Sequence, residues 1–81
     1  MKTEVTIFVN YHDDQNRIQA VKIGSYETHE GLEEFNHIRG QWLLDNCPFS
    51  DEPKRMHLFV QDVNTGIILH NRTWDRVTTT K

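Results

Sequence analysis

The 81-residue chain is 36% hydrophobic and 26% charged, with a net charge of -3, a balance that suits a soluble globular protein and excludes a disordered tail. A chain of this length forms a single domain and buries only about 60% of the surface its unfolded form exposes, so a partner or a second copy is expected to cover more. No stretch approaches the roughly 18 apolar residues of a membrane span, and a lone cysteine, Cys47, rules out an internal disulfide; a cytoplasmic chain that does not touch the membrane is the expectation.

Val5, Ile7, Val9 and Tyr11 alternate with Thr6, Phe8 and Asn10, the period of a half-buried strand. His12 to Arg17 is wholly polar and rich in side chains that bond their own backbone, so it reads as a hairpin loop. Ile18 to Ile23 resumes the strand, Gly24-Ser25 ends it, and residues 3–25 form the first hairpin.

From Thr28 the apolar period becomes helical, and a single helix is predicted over 28–47. Leu32, Phe35, Ile38, Trp42 and Leu43 fall in one stripe. Ser25 or Thr28 is placed to cap its start, and the glutamates of its first turns favour the positive end of the helix dipole. Pro48 disfavours helical geometry before it and sets the stop near Cys47. Leu32, Phe35, Ile38 and Trp42 are expected to anchor the core against Val5, Ile7, Val9, Val21, Leu58 and Val60.

Residues 55–75 form a second hairpin turned by Asn64-Thr65-Gly66, with glycine in the left-handed position. That turn pairs Val63 with Ile67, Gln61 with Leu69 and Met56 with Trp74. Met56, Leu58, Val60 and Ile68 then share one face, and Phe59, Val63, Ile67 and Leu69 the other, which one helix cannot also cover. Residues 76–81 are a tail expected to fray. The order of two strands, a helix and two strands predicts an α+β fold: a four-stranded, mainly antiparallel sheet with one amphipathic helix on one face.

No constellation of catalytic residues emerges, and an enzyme is not expected. Cys47 lies at the negative end of the helix, where a thiolate is disfavoured, and Asp13-Asp14 sit in a polar loop with nothing to separate their pKa values. His29, Glu33 and His37 rise along the solvent side of the helix, but ligands eight residues apart are about 12 Å apart along its axis, so neither a metal nor another cofactor is expected. Lys54, Arg55, Arg72 and Arg76 with Phe59 and Trp74 would suit a small nucleic-acid-binding regulator, against which the net negative charge acts.

Charge is uneven, about -4 over residues 1–49 and +1 over 50–81. Asp13, Asp14, Glu30, Glu33 and Glu34, with Glu27, are read as an acidic surface for a larger host protein or complex with a basic surface. Leu44 lies off the core stripe, and Phe59, Ile67 and Leu69 form an apolar face suited to a partner or a homodimer. Gly40 inside the helix costs roughly 1 kcal/mol relative to alanine, which a close backbone approach by a partner would explain.

This layout, an acidic helix on a four-stranded sheet, resembles small phage-encoded host-takeover and inhibitor proteins, among them inhibitors of bacterial RNA polymerase and anti-CRISPR proteins. The resemblance covers the order of elements across most of the chain and carries over no functional residue. It implies a non-catalytic protein of the host cytoplasm that binds and blocks a larger machine.

Overall fold

In the computed structural model, which describes residues 3–48 and 53–75, the alternating runs form four strands and the helical run forms two short helices. The strands are β1 (Glu4–His12), β2 (Ile18–Glu27), β3 (Arg55–Asp62) and β4 (Ile68–Asp75); the helices are α1 (Thr28–His37) and α2 (Gly40–Asp45). They build one antiparallel sheet in the order β2-β1-β3-β4, an α+β fold. The expected fraying of residues 76–81 and most of the loop at 49–52 lie outside the described residues.

The two central strands carry the core. Val5, Ile7, Val9 and Tyr11 of β1 and Met56, Leu58 and Val60 of β3 are all buried on the helix-covered face, packed with Phe35, Ile38 and Leu43. Each such side chain contributes roughly 1.5–3 kcal/mol on leaving water, so this two-strand strip holds most of the stabilisation. The opposite face carries Phe8 against Phe59, direct partners in the β1–β3 register, with ring centroids 5.5 Å apart.

The single helix expected over 28–47 is broken at Ile38-Arg39, where both residues adopt extended backbone angles. The break is made by the sheet beneath. A Cβ on Gly40 would lie 2.9 Å from Trp74 Nε1, so the close approach that Gly40 permits is to the chain's own Trp74 and not to a partner. Arg72 lies over the Phe35 ring, 5.2 Å from its centroid, and donates a long hydrogen bond of 3.5 Å to the Ile38 carbonyl that the break leaves open. Restarting the helix at Gly40 turns its face: Leu43 becomes fully buried, whereas Trp42, expected in the core, is 48% exposed. Leu32 is only partly buried against the core.

Three further expectations are corrected. Strand β2 continues past Gly24-Ser25 to Glu27 and runs directly into α1, with Glu27 as N-cap and no side-chain cap hydrogen bond from Ser25 or Thr28. A bulge at Ile23, between the pairs Ile7–Gly24 and Phe8–Lys22, absorbs the extra length. In the second hairpin, Met56 pairs with Trp74 as expected, but the register shifts at Leu69, so Gln61 faces Ile68 in place of Leu69, and it is Asp62 N–H, not Val63, that bonds the Ile67 carbonyl, at 2.8 Å. Ile68 is accordingly 46% exposed and not part of the Met56, Leu58, Val60 face.

Both hairpin loops are organised by an aspartate that bonds backbone N–H groups, the local turn chemistry of that side chain. Asp62 Oδ1 accepts from Asn64 and Thr65 at 2.8 and 2.9 Å, and Gly66 takes φ 78°, the left-handed geometry expected there. Asp13 Oδ1 accepts from Gln15 and Arg17 N–H, both at 2.9 Å, and its other oxygen meets Arg17 Nε at 2.8 Å.

Candidate partner-binding surface

Strand β2 lies at the edge of the sheet and pairs with β1 alone, which leaves the outer row of its backbone groups without a sheet neighbour. Helix α1 starts above β1 and β2, where a Cβ on Gly31 would collide with Val5, and crosses towards β4, where Phe35 stacks near His70. That diagonal leaves the inner side of β2 open beyond the middle of α1.

A groove of about 400 Å³ occupies this space. Ile23, Tyr26, Ile38 and the exposed ring of Trp42 give it an apolar lining, and Glu34, His37 and Arg39 stand around it. Trp42 reaches it because of the helix break, since a continuous helix would have turned this residue onto the core with Ile38. Tyr26 also lines a second groove of about 400 Å³, formed with Thr3, Glu4, Ser25, Glu27 and Glu30. Glu4 and Glu27 are direct cross-strand partners, and like charges so placed repel. Among the described residues, no cation lines this second groove.

The residues singled out from sequence fall in four places. Glu30 and Glu34 line the two grooves, and Glu33 is exposed on the same helix. Asp13 and Asp14 stand at the other end of β1, roughly 25–30 Å away at strand rise, so they do not join the glutamates in one surface. Asp13 is moreover committed to its own loop: burial raises its carboxyl, but the Arg17 and Gln15 hydrogen bonds outweigh this and hold it below the usual carboxylate range. Leu44 is half-buried on α2. Phe59 is half-buried on the uncovered face between Phe8 and His57, whose ring centroid is 5.2 Å away. Ile67 and Leu69, 59% and 37% exposed, form an apolar cluster with Val63 and Ile68 at the β3–β4 turn.

The set suggested for nucleic acid is divided between faces. Arg72 and Trp74 lie on the helix-covered side with Phe35 and Gly40, whereas Phe59 faces away. Arg55 is ion-paired with Asp75, Lys54 is exposed, and Arg76 is outside the described residues. Among the described residues no group of three or more His, Cys, Asp or Glu side chains is placed to hold a metal ion, and no helix is long and apolar enough to cross a membrane.

Sequence reasoning missed Trp42, Ile23 and Tyr26 as surface groups. The one signal available was Gly40 together with Arg39 inside an otherwise helical stripe, a local preference against continuing the helix. No protein-family model, curated protein or solved structure matches the chain.

Proposed function

We propose that this chain is a non-catalytic protein-binding module of the phage or mobile-element inhibitor kind, which acts in the host cytoplasm by occupying a basic surface on a larger protein or nucleic-acid-processing complex. The observation that supports this reading is the exposed Trp42, which lines an apolar groove, with Tyr26 also lining a second groove where, among the described residues, Glu4, Glu27 and Glu30 supply charge and no cation does. An exposed tryptophan in a pocket is the type of residue that anchors protein interfaces. Those carboxylates favour a cationic partner and raise its association rate. The test is affinity capture from a nuclease-treated bacterial lysate with native and Trp42→Ala chains in parallel. A host protein retained by the first and lost from the second is expected; identical retention by both would refute the reading.

A second reading, a small nucleic-acid-binding regulator, draws on the Phe8–Phe59–His57 cluster on the uncovered sheet face. Such a face suits base stacking. Measured affinity would then fall steeply with salt and would be lost on Phe59→Ala, not on Trp42→Ala.

A further inference from the structure

We infer, building on the protein-binding reading above, that the partner contributes an extended, basic segment that adds to β2 as a fifth strand. Its apolar side chain would enter the Trp42 groove and a neighbouring lysine or arginine the Glu4, Glu27, Glu30 groove.

Strand β2 has ten residues and one neighbour. Its outer row of N–H and C=O groups is therefore a ready template for an added strand. Strand addition takes affinity from main-chain hydrogen bonds and specificity from pockets that receive alternate side chains, and such pockets must lie beside the edge, under the face to which every second residue points. Both grooves lie beside the edge: Ile23 and Tyr26 of β2 line the first, and Ser25, Tyr26 and Glu27 line the second. One is apolar through Ile23, Ile38 and Trp42, and the other holds three carboxylates. Glu4 and Glu27 alternate with Val5 and Tyr26 along their strands and so point to the face opposite the helices, and the order that would satisfy both grooves is an apolar residue next to a cation, on opposite sides of one strand.

Charge selects the occupant. Glu4 and Glu27 face each other across the β1–β2 ladder with Glu30 beside them, and a partner cation converts that repulsion to attraction. A second copy is disfavoured as the added strand by the net charge of -3.

The experiment is a titration of the isotope-labelled chain with a synthetic octapeptide of alternating lysine and leucine, followed by amide chemical shifts and hydrogen exchange. Three controls accompany it: the peptide N-methylated at alternate amides on one edge, the peptide with glutamate for lysine, and the parent peptide against Trp42→Ala and Glu30→Lys chains. The expected result is shift changes and slowed exchange within residues 18–27, about tenfold or greater weakening by N-methylation and by Trp42→Ala, and no binding of the glutamate peptide. Equal affinity for the N-methylated peptide would overturn strand addition in favour of charge attraction alone, and so would absent binding or shifts confined to the uncovered sheet face. If strand addition fails while Trp42→Ala still abolishes capture of a host protein, the protein-binding reading stands without it.

Discussion

The Tyr11 hydroxyl, on a side chain only 1% exposed, donates a 2.7 Å hydrogen bond to the Leu43 carbonyl and so ties the centre of the sheet to the second helix. Leu43 is fully buried alongside it. This contact fixes where α2 sits, and α2 presents Trp42.

That hydroxyl gives a pH signature. Burial, assisted by Cys47, pushes the Tyr11 pKa up to about 12 from an unfolded value of about 10. The folded chain keeps a proton that the unfolded chain loses, so the contribution to stability is full below pH 10 and is lost as pH rises towards 12. Tyr11→Phe removes the hydrogen bond and is expected to cost about 1 kcal/mol near pH 8, because the Leu43 carbonyl keeps its bond from Asn46 N–H. Thermal unfolding of the two chains should converge between pH 10 and 12. Parallel curves would show that the hydroxyl is not buried.

Phe35 and Trp42 should differ sharply. Phe35 is 4% exposed, and Phe35→Ala is expected to cost about 3–5 kcal/mol, enough to unfold much of so small a domain. Trp42 is 48% exposed, and its replacement by alanine should cost about 1 kcal/mol or less. Urea unfolding of both variants checks this; equal losses would restore a continuous helix with Trp42 in the core.

Gly31 marks a close contact between helix and sheet, since a Cβ there would collide with Val5 Cγ2. Alanine is favoured over glycine in a helix by roughly 1 kcal/mol, but overpacking of this kind costs about 1–3 kcal/mol. Gly31→Ala should therefore destabilise, and it should cost less on a Val5→Ala background than on the native chain in the same urea measurement, because the two sites couple.

The apolar cluster at the β3–β4 turn is expected to associate copies of the chain, since Val63, Ile67, Ile68 and Leu69 are all exposed there. Leu69→Lys should leave circular dichroism unchanged and lower the molar mass measured by light scattering. A collapsed spectrum would place Leu69 in the core.

The strands were legible in the sequence because alternation is a direct consequence of the pleat: Val5, Ile7, Val9 and Tyr11 had to share a face, and the structure buries all four. The helix was legible in place but not in continuity. Periodicity reports which residues are apolar, not whether the axis holds, and the break at Ile38-Arg39 goes with Trp74 lying under Gly40, a contact between residues far apart in sequence. The same contact explains why Trp42 was assigned inward. The acidic residues read as one set because they share the acidic half of the chain, yet β1 carries Asp13 and Asp14 to the far end of the sheet. Register departs at Leu69, where a bulge shifts the pairing next to the turn and moves Ile67 from Val63 to Asp62.

The most direct measurement is amide hydrogen exchange on the chain held by its captured host protein, compared with the free chain. Protection gained across β2 at residues 18–27 and around Trp42 is the predicted result. Protection confined to β3 around Phe59, or to the β3–β4 turn at Ile67 to Leu69, with β2 and Trp42 exchanging as in the free chain, would contradict it.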